Sequence, residues 1–282
     1  MSEALYESRW TFYCASPNLE SGTMDGYGNN LGERALALAQ YMLFLAPTST
    51  WRVDFDILAS NGKERTIKEQ VPTETAATLA DYLNQAFELQ QSFRYPLMLF
   101  KIDGKGRLRY SPKGHVQVDL KIPLEDLGSA GEIVKSWWNK AEQTWPLTRA
   151  YAFSMAQEVL QKSMERRNLN DELKLQTAIA ARLRMERGLP EGEGHRPTTR
   201  NVATIGWLDR IPIEDVVDAS QFAPGVTWQP DEASGYGLLQ LGAEPSNFTL
   251  EMSDSVHRAY GNPTLDDLRA QVAALEAQTN AT

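Results

Sequence analysis

Asp54 and Asp56, in "WRVDFDILAS", are the first residues whose types and spacing suit chemistry. On a strand, side chains at i and i+2 share a face. Paired acids there can hold a divalent metal in a nuclease when further acids or a lysine complete the set. His115, on a second strand-like run, is the residue that would join them in a metal-dependent hydrolase or nuclease assembled from distant positions. A plainer reading competes with this one. Trp51, Val53, Phe55 and Ile57 alternate with Arg52, Asp54 and Asp56, so the acids form the solvated face of a half-buried strand. The three histidines, His115, His195 and His257, include no pair at a metal-ligand spacing. Cys14 is the single cysteine, which excludes a disulfide framework and a thiolate-rich metal site. Its strand-like setting, "RWTFYCAS", reads as packing. No G-x-S-x-G nucleophile motif is present. Gly22, Gly26, Gly28 and Gly32 lack the order of a dinucleotide fingerprint, and no Lys-Ser/Thr pair follows them. The residues therefore assign no catalytic group, no cofactor and no metal, and weight shifts toward binding.

Charge points the same way. The chain of 282 residues has a net charge of −9, and residues 201–282, with 3 basic and 12 acidic side chains, carry an imbalance of that size on their own. Such a field repels nucleic-acid phosphates and attracts basic proteins. The basic run "KIDGKGRLR" with "SPKGH" has one aromatic nearby, Tyr110, too little interleaving for nucleic acid. A charged edge that discourages sheet pairing accounts for it. Within the acidic third, "NVATIGWLDRIPIEDVVD" and "TWQPDEASGY" bring aromatics and carboxylates close in sequence. Glu214, Asp215, Asp218, Trp228, Asp231, Glu232 and Tyr236 form the expected partner interface. Aromatic anchors ringed by charge are the usual composition of one. The alternative is that Trp207 and Trp228 are both core and the acids are merely solvated.

These side chains need elements to hold them. "RWTFYCAS" reads as a strand and "NLESGTMDGYGNN" as a loop. Leu31, Ala35, Leu38, Met42 and Leu45 share one helical face, and the opposite face is also apolar, which predicts a central helix ended by Pro47. A hairpin follows around "NGK", then a helix over about 73–91, then strands at "YPLMLFKI", "RLRYS" and "HVQVDLKIP". Residues 130–187 read as helical, with a break at Pro146 and a polar junction at "NLND", and with a basic layer that includes Arg166, Arg167, Arg182, Arg184 and Arg187. Short strands are expected at "VATIGWL", "GVTW", "GYGLLQLG" and "NFTLEM", and a final helix at "NPTLDDL", with Thr264 and Asp267 as its capping pair.

This order gives an α+β fold with a mainly antiparallel sheet, a central helix layer and a smaller C-terminal strand-helix section. The expected organisation is a main body over 1–187, a Gly/Pro-rich linker-like loop over 188–200 and an acidic section over 201–282 packing on the body. The longest apolar run, "ALALAQYMLFLA", is shorter than the roughly 20 residues of a membrane span. The N-terminus lacks a signal-peptide pattern. No membrane partner and a cytoplasmic location are expected.

The section from "ATIGWLDRIP" through "GYGLLQLG" to "FTLEMSDSVHRAYG" resembles immunity protein family 52 and related polymorphic-toxin immunity proteins linked to type VI secretion. Gly206, Trp207, Pro212, Gly237 and His257 occupy the positions of that pattern, and upstream "ALAQYMLFLAPTSTW", "VQVDLKIP" and the Trp145-Pro146 pair are similar to it. The resemblance implies an α+β fold, no catalysis, and one-to-one binding of a co-encoded toxin, here a basic one. Beside this reading stand the metal-dependent hydrolase and a structural or adaptor subunit of a bacterial or phage assembly.

Overall fold

The computed structural model describes residues 9–15, 31–48, 50–58, 64–90, 98–102, 105–111, 115–145, 147, 149–189 and 204–279. The chain divides into two compact units, Met1–Met155 with Asp209–Ile211, and Ala156–Leu208 with Pro212–Thr282. The described residues form ten strands and seven α-helices, an α+β fold whose registered strand pairs are all antiparallel.

The first unit contains β1 (Arg9–Ala15), α1 (Leu31–Leu45), β2 (Trp51–Leu58), β3 (Glu64–Val71) and α2 (Ala76–Gln90). β4 (Met98–Ile102), β5 (Gly106–Ser111), β6 (His115–Lys121), α3 (Ala130–Thr144) and β7 (Arg149–Ser154) complete it. Its strands lie in the order β3-β2-β4-β5-β6-β1-β7. Alternation along each strand becomes rows across the sheet. Val53, Phe100, Leu108 and Val118 are successive cross-strand partners, as are Phe55, Met98, Tyr110 and Val116. All eight are buried, and Leu38, Met42, Leu79, Leu83, Val134 and Trp138 of the helices are buried too. Trp51, Val53 and Phe55 face inward while Arg52 is exposed, as the alternation in β2 required.

The second unit is built from α4 (Met155–Gln161), α5 (Met164–Glu186), β9 (Val226–Asp231), β10 (Tyr236–Leu241), α6 (Leu250–Ala259) and α7 (Leu265–Thr279). β8 (Leu208–Pro212) lies where the chain passes from one unit to the other. α7 packs on α5: Val272 and Leu275 bury against Ala180, flanked by Ile179 and Leu183. Arg269 of α7 pairs with Glu172 of α5, and Arg187 donates to Gln278 at 3.1 Å. This packing places the long basic helix with the acidic third, whereas the sequence reading drew its division at 188–200. Residues 190–200, His195 among them, lie outside the described residues.

Four expectations are corrected. Residues 149–154 form β7, not helix: Ala150, Ala152 and Phe153 pair with β1, and a free strand edge overrides a run that reads as helical in isolation. "NFTLEM" starts α6 instead of forming a strand, because the Thr249 hydroxyl accepts from the Met252 amide at 3.2 Å and caps the helix. α1 is not covered on every side, since Leu36 and Phe44 are exposed. The strand expected at "VATIGWL" begins only at Leu208. Both backbone groups of the buried Ile205 are taken by the Gln161 side chain, which accepts from its N–H at 2.9 Å and donates to its carbonyl at 2.8 Å. That amide replaces a ladder partner, so Ile205–Trp207 are core without being strand.

Candidate functional site

Asp54 is paired with cations. Its carboxylate is bound by Lys101 and lies 3.3 Å from Arg52. β6, which begins at His115, is three strands from β2, about 14 Å at the usual strand spacing. The side chains of Asp56, His115 and Cys14 lie outside what is described. Among the described residues no group of three or more His, Cys, Asp or Glu converges.

The acidic stretch has a definite construction, wholly within the second unit. The Ile213 amide donates to the Gly235 carbonyl at 3.0 Å. This bond sets the 3₁₀ turn Ile213–Asp215 beside the tight turn that joins β9 to β10, where Ser234 and Gly235 amides bond back to the Asp231 carbonyl. The segment that carries Glu214 and Asp215 is thereby tied to the turn that carries Asp231 and Glu232. Glu214, Asp231 and Glu232 are exposed, and Asp215 and Tyr236 are half-buried. Val217 stands 72% exposed between the acids, although its amide is fixed to the Ala259 carbonyl at 2.8 Å.

Asp218 has a local task. Its carboxylate accepts from the Ser220 amide at 3.0 Å, the Ser220 hydroxyl at 2.6 Å and Gln221 at 3.0 Å, capping the turn Ala219–Gln221. These bonds hold its pKa below the ordinary carboxylate range. Trp228 is neither buried core nor a free ring. A Cβ on Gly237 would meet its ring at 2.2 Å, so the indole packs against that glycine, with Phe222 beside it at 6.3 Å between ring centres. Of the seven residues expected at the interface, Glu214 and Asp215 lie on a turn tied by the Ile213–Gly235 bond to the β9–β10 turn of Asp231 and Glu232, Tyr236 begins β10, and Asp218 and Trp228 have local contacts.

The edge beside these acids does not invite another strand. The Gly242 amide bonds to the Gly225 carbonyl, while the Leu241 amide turns away to the Trp207 carbonyl. Alternation from that point aims the main-chain groups of Val226, Trp228 and Pro230 outward. The Val226 N–H is spent on Ala223, and Pro230 has none. Only Trp228 offers an outward N–H on β9, a blunted edge. This edge therefore presents side chains rather than a ladder of free main-chain groups.

A second feature was not legible as a site in the sequence. α5, α6 and the turn before α7 enclose a cleft of about 970 Å³ in the second unit. At its centre Arg166 donates two hydrogen bonds to Asp254, at 2.7 and 2.8 Å. His257, one turn along α6 from Asp254, is half-buried, and burial is the main cause that lowers its pKa, with Arg166 adding to the fall and Asp254 opposing it. The clue in the sequence was the Asp254–His257 spacing of i, i+3 opposite a basic helix.

The residues carrying the resemblance have structural roles here. Trp207 is fully buried and its indole donates to the Gly242 carbonyl at 3.1 Å; Gly237 is the platform for Trp228; Pro212 ends β8; His257 lines the cleft. No family model matches the chain, and no curated relative matches it. Among solved structures, the Pseudomonas aeruginosa T6SS protein PA0821 is similar at a TM-score of 0.40 and 12% identity, over 92% of this chain and 73% of that one. A likeness of that size carries neither fold nor role across. No helix among the described residues is long and apolar enough to cross a membrane.

Proposed function

We propose that this chain is a non-catalytic binding protein of the immunity type, which holds a basic toxin domain one-to-one on the acidic face of its second unit. The observation that supports the reading is the Ile213–Gly235 bond, which ties the turn carrying Glu214 and Asp215 to the turn carrying Asp231 and Glu232. The excess of 12 acidic over 3 basic residues in positions 201–282 extends that field beyond the face itself. Exposed carboxylates of this kind steer encounter more than they retain a complex. The toxin assignment is the finer part of the proposal and rests on the resemblance.

The test uses the toxin domain encoded beside this gene. Reversing Asp215, Asp218, Asp231 and Glu232 to lysine slows association by about tenfold or more at low salt. The difference closes as salt rises, because screening acts within about 8–10 Å at moderate ionic strength. Equal association rates for the wild type and the four-lysine variant at low salt would place the interface elsewhere. An absence of binding would remove the immunity reading altogether.

A further inference from the structure

The cleft in the second unit has an excess of positive charge that its own acids do not absorb. Its lining carries five Lys or Arg side chains against two carboxylates, Asp171 and Asp254, in a chain whose net charge is −9. Three of the five cations are held: Arg166 by Asp254, Arg258 by Glu251 at 2.6 Å, and Lys162 by Glu158. The other two are available. Arg167 has no ion-pair partner among the described residues, and Lys174 stands 3.7 Å from Asp171 with both side chains about 60% exposed. An exposed pair at that separation gives up its partner at little cost.

The wall adds a neutral donor. The Asn262 side-chain nitrogen is buried and has no acceptor, although the Asn262 main chain is anchored to the His257 carbonyl at 3.1 Å. A buried polar group without a partner is unfavourable and rare in a native fold, so this one marks a place that an acceptor would satisfy. Unmatched donors and unmatched positive charge share one complement, a ligand whose polar atoms are anionic oxygens. The volume falls at the upper end of the range for small-molecule sites.

We propose that this cleft binds a small polyanion, bearing phosphate or carboxylate groups, whose oxygens accept from Asn262 and face Arg167 and Lys174. The proposal does not depend on the acidic face or on a toxin partner. Calorimetric titration of the full chain distinguishes the two sources of the anion, with pyrophosphate in one arm and citrate in the other. At least one probe binds with a dissociation constant below about 1 mM. The double variant Arg167→Gln, Lys174→Gln weakens that binding about tenfold or more, and Asn262→Asp, nearly isosteric but anionic, abolishes it. Lys135→Gln with Lys140→Gln, in the first unit, leaves it unchanged. Pyrophosphate binding alone assigns a phosphate ligand, and citrate binding alone a carboxylate. No heat with either probe, or equal losses in the cleft and control variants, overturns the proposal. The glutamine pair removes exposed charge only, so it answers the question even if Asn262→Asp fails to fold.

Discussion

Gly106 and Gly237 each open a strand near its start, one in each unit, and each lies where a Cβ would come 2.2 Å from another atom. The atoms differ. At Gly106 the atom is the main-chain carbonyl oxygen of Asp119, on the neighbouring strand β6. At Gly237 it is the far edge of the Trp228 ring. The first glycine is required by the sheet itself, since the turn before it is pinned by the Lys105 amide on Ile102 and the Lys121 amide on Lys105. The second serves a side chain, because its bare backbone lets an indole lie against the sheet at an exposed edge. The difference teaches what each unit is built to do. The first places its close approach between the backbones of two core strands, and the second places one under an aromatic ring on an edge strand.

Alanine at each glycine separates the two cases, and the larger effect belongs to Gly106. Gly106→Ala drives a methyl group into backbone with neighbours on both sides, and it should cost about 3 kcal/mol or more in a denaturant titration. A loss below about 1 kcal/mol would show that β5 and β6 give way more easily than the rows of partners imply. Gly237→Ala displaces only a ring, and the expected cost is about 1–2 kcal/mol. Its signature is optical: the Trp228 indole becomes more accessible to acrylamide, with Trp228→Phe as the reference that isolates one signal among seven tryptophans. Unchanged quenching would mean that the ring is not seated on Gly237.

The sequence was most readable where one period ruled. β2 alternates cleanly, and the capping pair of α7 appears as expected: the Thr264 amide donates to Asp267 at 2.9 Å and the Asp267 amide to Thr264 at 3.2 Å. It was least readable where a distant partner decided the outcome. Nothing local in "LTRAYAFS" tells that β1 has an edge to fill, and nothing local in "ATIGW" tells that Gln161, 44 positions earlier, holds both main-chain groups of Ile205. The candidate site divides in the same way. Carboxylates in loops were visible as composition, but the tie between their two turns is one Ile213–Gly235 bond. The cleft was invisible because its charges come from α5, α6 and the turn before α5, whose mutual packing no pattern states.

The smallest expected effect concerns His257, and it follows from sign alone. Burial lowers the imidazole pKa in the folded chain, so in the unfolded chain it keeps the ordinary value near 6.5. Asp254 on its own helix resists that fall and Arg166 from α5 adds to it. Between the two values the unfolded state binds more protons than the folded one, and stability therefore rises with pH across that window. The contribution is complete above about pH 6.5 and is lost as the pH falls toward the folded pKa, with a slope of at most about 1.4 kcal/mol per pH unit for one proton. Asp218 and Asp267, whose pKa values are lowered by hydrogen bonds, also lose stability on acidification. Their loss begins only near the ordinary carboxylate range around pH 4, so pH 5 to 6.5 separates the histidine from them. Denaturant midpoints of the wild type and His257→Gln, measured across that interval, should converge as the pH falls. The subtraction removes His115 and His195, which both proteins share. Parallel curves would show that His257 takes up its proton as readily in the fold as outside it. The cleft would then be open to water at α6, and the case for Asn262 as a dry donor would weaken with it.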